Sequence, residues 1–316
     1  MHLLPCLPIS APKSPPPKSQ DLTGRVTKES KNYSNLGQNS DIWYALWEDS
    51  PIQGVLVVVK VIRGAVSPDP EFTSKFREKL RPQLHLWTTL DHPNIAEIYG
   101  MVDNFGTLPG IVMKKYPESL RHRVALHNEF DNDDVKLKWV KDIALGLKFL
   151  HRQKPPVLHG DLRCANVFLD AGRCVLADFG LVFLIDASEF TSVKTAGSSR
   201  WTAPEIMDPK AANEHDPYHD FSTASDAFSL AMIIIEIFTG GPPFSKKKND
   251  SAVIFAIAAG KRPDIPQNIT SNHYLSNVVR KCWQQNPKSR PSMSWVCYQL
   301  GLTSAVMYAK EWLGLM

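Results

Sequence analysis

The chain has 316 residues, of which 43% are apolar and 22% charged, and its net charge at neutral pH is +4. That charge is too mild to argue for nucleic acid or a membrane surface as partner. The longest near-apolar run, AFSLAMIIIEIFT from Ala227, is shorter than the ~20 residues a bilayer span needs and contains Glu236, so it reads as a central buried helix.

The start, MHLLPCLPISAPKSPPPKS, is interrupted by Pro5 and Pro8 and has no cationic leader, which speaks against a signal peptide. With further prolines at 12, 15, 16 and 17, residues 1–24 read as an extended, disordered arm. An inert tail is the favoured reading; a partner that reads proline motifs is the alternative. From Arg25 the texture changes. DIWYALWED and GVLVVVKVI are rich in β-branched and aromatic residues and predict antiparallel strands. DPEFTSKFREKLRPQLHLWTTL has helical spacing (Phe72, Phe76, Leu80, Leu84, Trp87), although Pro82 should kink or split the helix. NIAEIYGMV and LPGIVMKKY predict two more strands.

After Glu118 the pattern turns helical. DDVKLKWVKDIALGLKFLHRQ is amphipathic, acidic at its start and basic at its end. Short strands are expected around LHGDLRCANVFLD, then a Ser/Thr-rich loop, then helices at 222–239, 251–259, 275–284 and 292–300. Strands with one helix first and helices later suggest a small β-rich lobe on a larger α-rich lobe. The five cysteines, Cys6, Cys164, Cys174, Cys282 and Cys297, are dispersed and lack a C-x-x-C pair, which predicts reduced thiols in a cytoplasmic protein. The stretch MDPKAANEHDPYHDF reads as a solvated loop, since His215 and His219 beside Pro217 make a weak metal pattern. TSAVMYAKEWLGLM, beyond Leu300, is expected to prolong the last helix and pack its apolar face on the large lobe.

HGDLRCAN fits the pattern H-R-D-L-x-x-x-N at every fixed place except the arginine. ADFGL follows it, TAPE follows that, and VVVK lies upstream in a predicted strand. Four such motifs in order are similar to a protein kinase domain, and HGDLR with SSRWTAPE resembles the tyrosine-kinase-like group in its fungal form. The resemblance covers about Arg25 to Leu300 and implies an α+β, two-lobed kinase fold. The small lobe would run to about 116, the large lobe from about 117 to 300, with a helical extension at 301–316.

The resemblance also implies roles. Asp161 would accept the proton of a substrate hydroxyl. Asn166 and Asp178 would bind Mg2+. Lys60 would hold the α- and β-phosphates of ATP. Gly37, Ile42, Val58, Met113 and Lys115 would line the nucleotide site, with Met113 at the back of the adenine pocket and Lys114, Lys115 and Tyr116 as the hinge. Phe179, His159 and Trp87 would stack between the lobes, Asp226 would anchor the catalytic loop, and Glu205 would pair with Arg290. The substrate would be a protein Ser or Thr: Ser198 stands where Ser/Thr kinases commonly have threonine, while Arg163 is a tyrosine-kinase-like feature, and dual specificity stays open.

Four departures bear on activity. Asn35, Gly37 and Ser40 stand at the three glycine places of the phosphate loop, so one glycine remains there. Gln83 occupies the place of the helix glutamate that pairs with Lys60, and Glu78, five residues away, should face elsewhere. Val58 replaces the alanine above the adenine. Gly160 replaces the arginine that bonds a phosphorylated activation loop, so phosphates on Thr191, Ser192, Thr195 or Ser198 should not activate through it. Two functions fit: an active ATP- and Mg-dependent kinase, favoured by the retention of Lys60, Asp161, Asn166 and Asp178, or a pseudokinase scaffold.

Overall fold

The structure is a computed structural model that describes residues 21–30, 35–36, 40–48, 54–63, 70–126, 132–184, 197–207 and 220–313. The proline-rich stretch up to residue 20, Gly37, Thr191, Ser192, Thr195, His215 and His219 lie outside the described residues.

The first lobe is a six-stranded antiparallel sheet. Its strands are β1 (Val26–Lys28), β2 (Asn35–Leu36), β3 (Ser40–Glu48), β4 (Gly54–Ile62), β5 (Ile98–Val102) and β6 (Gly110–Lys114), in the order β1-β3-β4-β6-β5 with β2 pairing to β3. Period-two alternation decides which face does what. Trp43, Ala45 and Trp47 of β3 and Val57, Val59 and Val61 of β4 are buried on one face. Ile42, Tyr44, Val58 and Lys60 are half-buried on the other, with Ile42 opposite Lys60 and Tyr44 opposite Val58. The expected arm ends sooner than position 24. Leu22 is fully buried and its N–H donates to Met101 O at 2.8 Å, so the chain at Asp21–Leu22 covers the outer edge of β5.

Helix α1 (Pro70–Thr89) crosses this lobe without interruption. Phe76, Leu80, Leu84 and Trp87 form its buried stripe. The break expected at Pro82 as one alternative does not occur. Pro82 and Glu78 are both exposed, so the carbonyl that loses its helical partner faces water, and the buried stripe on the opposite face holds the helix together.

The second lobe starts with β7 (Glu118–Ser119) and α2 (Leu120–Ala125), continues through α3 (Asp133–His151), and carries β8 (Val167–Asp170) and β9 (Arg173–Leu176), with β8 pairing to both β7 and β9. Then follow α4 (Pro204–Met207), α5 (Thr223–Thr239), α6 (Asp250–Ala258), α7 (Gln267–Thr270), α8 (His273–Cys282), α9 (Met293–Gln299) and α10 (Ala305–Trp312). Helix α5 is buried from Ser225 to Phe238, which explains why its sequence shows no polar face. A Ser222–Ser225 capping box starts it and Gly240 in the left-handed region ends it. Helix α3 opens on an Asn132 cap and packs against α5, α9 and β9.

The final helix is a correction. Helix α9 is not prolonged: Leu302 N–H turns back to Cys297 O at 2.8 Å, with Gly301 at φ +72°. This is a Schellman stop, and Ser304 then caps the separate helix α10. Among the described side chains of α10, Val306 and Met307 are 67% and 50% exposed and do not pack on the large lobe. The helix is held instead by Glu311 on Lys148 at 2.8 Å and by Tyr308 stacked on Tyr298.

Candidate active site

The loop between α3 and β8 is positioned from below by a buried carboxylate. Asp226, in the first turn of α5, accepts the N–H of His159 at 2.8 Å and of Gly160 at 2.9 Å, and contacts His151 Nε2 at 2.8 Å. Burial pushes its pKa up, but the His151 contact and the Gly160 amide outweigh it and hold Asp226 below the usual carboxylate range. This is the anchoring expected of it. His159 is fully buried and burial keeps it neutral, below its ordinary value.

Gly160 is a steric requirement as well as a missing arginine. Its φ is +77°, and a Cβ there would sit 2.5 Å from Val182 Cγ1. The space where a side chain would leave the loop is already filled.

Beyond Gly160, Asp161 and Asn166 face each other across a turn of 3-10 helix at Cys164–Asn166. Asn166 Nδ2 donates to both Asp161 O and Asp161 Oδ2 at 2.8 Å. The amide orientation is thereby set, and Asn166 Oδ1 accepts no hydrogen bond from the described residues. Asp161 Oδ1 lies 3.4 Å from Arg163 Nε without hydrogen-bond alignment and is otherwise unpartnered among the described residues. Ala177 N–H donates to Asn166 O at 2.9 Å, which ties this loop to the strand end bearing Asp178.

Asp178 adopts φ +61°, a conformation that Asp tolerates better than most residues. Its carboxylate pairs with the Lys60 ammonium across the lobes, both side chains being mostly shielded from water. Gln83 makes no hydrogen bond to Lys60, and Glu78 is exposed, facing away as expected. Trp87 meets Phe179 edge to face at 6.0 Å. His159 joins this column through its backbone: its carbonyl accepts Gly180 N–H at 3.0 Å.

At the other end of the cleft, Val58 is the register partner of Met113, which is 7% exposed. The Lys115 ammonium lies 4.4 Å from the Tyr44 ring centroid, and Tyr44 shares the face of Ile42 and Val58. The structure thus brings Ile42, Val58, Lys60, Met113 and Lys115 to one side of the cleft, with Asp161, Asn166 and Asp178 on the other.

The reading of the sequence missed the part that three groups play. Tyr44 was legible in principle, two residues beyond Ile42 on one strand. Lys114, expected only as a hinge residue, bonds Glu97 at 3.3 Å and Asp170 at 2.9 Å, clasping the lobes. Glu236, noticed only as a charge in an apolar run, accepts Cys164 N–H at 3.1 Å and Trp201 Nε1–H at 2.9 Å. Burial holds it above the ordinary glutamate value, and the Cys164 and Trp201 donors offset this only in part.

Magnesium fits what the cleft offers. Among the described residues no cluster of three or more His, Cys, Asp and Glu could hold a metal. A cation here would have Asp178 and the unengaged Asn166 oxygen, which suits an ion that keeps water and phosphate oxygens in its shell. No described helix is long and apolar enough to cross a membrane.

The family model described as protein tyrosine and serine/threonine kinase matches residues 31–300. The chain is 30% identical over 247 residues to a probable serine/threonine-protein kinase, qkgA, of Dictyostelium discoideum, covering 73% of this chain and 15% of that protein. It is 30% identical to mitogen-activated protein kinase kinase kinase 5 of Arabidopsis thaliana, over 76% of this chain and 32% of the relative. It is 26% identical to serine/threonine-protein kinase CTR1 of the same plant, over 90% and 34%. The chain therefore spans a third or less of the length of the relatives it matches first. With Glu205 and Arg290 forming the expected bidentate pair at 2.6 and 2.7 Å, and the two lobes meeting at the Lys60–Asp178 contact, the chain belongs to the protein kinase family, in its tyrosine-kinase-like branch.

Proposed function

We propose that this chain transfers the γ-phosphoryl group of ATP to a Ser or Thr hydroxyl of a protein, in a unit running from Asp21 to Leu300 with α10 docked on it. The observation that carries the reading is the orientation of Asp161. Asn166 Nδ2 binds both its backbone carbonyl and its Oδ2, which fixes the carboxylate that would take the hydroxyl proton. As that proton moves to the Asp161 carboxylate, the hydroxyl oxygen forms its bond to the γ-phosphorus while the bond to the β,γ-bridging oxygen breaks and ADP leaves. Lys60, at the end of the sheet face bearing Ile42 and Val58, would orient the phosphates. A magnesium ion held by Asp178 and Asn166 would supply neutralisation of phosphate charge. Positioning and charge compensation are what this transfer requires of a protein, because the transition state is loose.

A second reading has its own support. Lys60 is engaged by Asp178, the same carboxylate a metal would need, and Gln83 offers Lys60 no competing charge. A scaffold that binds nucleotide without transfer would keep that pair closed.

One titration separates the two. Thermal unfolding is followed with ATP, with and without Mg2+, and transfer to a protein acceptor is measured for the wild type and Asp161→Asn. Metal-dependent stabilisation with transfer lost in Asp161→Asn supports the kinase. Stabilisation with no transfer by the wild type establishes the scaffold and overturns the enzyme.

A further inference from the structure

Most of the loop that joins Asp178 to α4 returns to the described residues at Gly197, next to the proton-accepting carboxylate. Arg163, whose Nε lies 3.4 Å from Asp161 Oδ1, donates through Nη1 to Gly197 O at 3.4 Å. The segment Gly197–Glu205 therefore borders the place where an acceptor hydroxyl must arrive. Arg200 lies within SSRWTAPE, but neither the resemblance nor the mechanism gives it a role, and it ties down the far side of this segment.

Arg200 turns inward, with 14% of its side chain exposed. Its Nη1 donates to Pro243 O and Phe244 O at 3.0 Å, its Nη2 to Lys247 O at 3.0 Å, and its Nε to Asp250 Oδ1 at 3.2 Å. Phe244 holds φ +56°, an uncommon conformation for an aromatic residue, and its carbonyl also accepts Lys247 N–H at 2.8 Å. The connection between α5 and α6 thus presents three carbonyls and a carboxylate to one planar, five-donor cation. A lysine, a point charge on a flexible stem, cannot bond that set. The neighbouring Trp201 is fixed independently, through Glu236 and through Ser229 Oγ–H donating to its carbonyl at 2.8 Å.

We infer that Arg200 is the positioning residue that fixes the acceptor-facing segment 197–205 against the α5–α6 connection, in place of a phosphate-dependent contact. The site of such a contact is closed: Gly160 has no side chain, and Val182 fills the space one would need. The inference rests on the phosphoryl-transfer reading of the cleft only for its effect on catalysis; the clamp itself is tested without any turnover.

The experiment is amide hydrogen exchange on the full chain, comparing the wild type before and after phosphatase treatment with Arg200→Met, Arg200→Lys and Asp250→Asn. In both Arg200 variants, exchange of residues 197–207 and 243–250 should rise on the order of tenfold while α5 and α8 keep their protection. Asp250→Asn, which weakens one contact of four, should give a smaller rise, and phosphatase should change nothing. If transfer is measurable, the KM for the protein acceptor should rise about tenfold in Arg200→Lys with the KM for ATP unchanged. Unaltered exchange in the Arg200 variants overturns the inference. So does full protection restored by lysine, a uniform loosening of α5 and α8, or loss of protection on phosphatase treatment. A wild type with no transfer but with the clamp intact would fail the enzyme reading alone.

Discussion

Restoring a side chain at Gly160 tests whether steric filling, and not merely the loss of an arginine, keeps this position glycine. Gly160→Ala places a β-carbon at φ +77°, which costs about 1–2 kcal/mol for an L-residue. That carbon meets Val182 Cγ1 at 2.5 Å, an overpacking of a half-buried contact that costs roughly 1–3 kcal/mol more. The stiffer unfolded chain returns about 0.4–1 kcal/mol. The net expectation is a loss of roughly 2–4 kcal/mol in equilibrium urea unfolding, with an unchanged m-value. The double variant Gly160→Ala/Val182→Ala removes the clash and leaves the dihedral cost, so the two substitutions should couple favourably by about 1–2 kcal/mol. A single-variant loss under about 0.5 kcal/mol, or strictly additive effects, would refute the steric account.

Two other predictions concern charge and pocket shape. Because the folded-state pKa of Asp226 is depressed, its stabilisation is present above the unfolded value of about 4 and is lost as pH falls through the lower folded value. The stability gap between the wild type and Asp226→Asn, about 3–5 kcal/mol at pH 7, should therefore narrow progressively below about pH 4, whereas a gap independent of pH would contradict the anchoring role. Glu236 carries the opposite sign, its penalty for being charged fading on acidification. Val58→Ala removes two methyl groups from the sheet face opposite Tyr44 and beside Met113, and should tighten ATP binding by ~1 kcal/mol, about fivefold, in calorimetric titration. Unchanged or weaker binding would mean that Val58 is not the ceiling of the nucleotide site.

What could be read from the amino-acid order was whatever a local period or a fixed motif encodes. The wealth of β-branched and aromatic residues in DIWYALWED and GVLVVVKVI specified β3 and β4. The stripe Phe76–Leu80–Leu84–Trp87 specified α1, and the solid apolar run specified the buried helix α5. The motif residues Lys60, Asp161, Asn166 and Asp178 could be named because the motifs that carry them, in that order, are similar to those of a protein kinase domain.

Other features depended on which distant segments meet. Pro82 did not split its helix because burial of the opposite face outweighs one lost hydrogen bond on the exposed side. The last helix stopped at Gly301 because a left-handed residue closed it, and α10 docked by an ion pair from Glu311 to Lys148, a residue 163 positions earlier. Lys60 chose Asp178 over Gln83 because a carboxylate came within reach from the other lobe. Arg200 has no partner that its local sequence predicts; the carbonyls of 243, 244 and 247 come around it only in the fold. Local propensity sees only neighbours a few positions away, whereas the worth of a buried charge depends on partners that folding alone brings together.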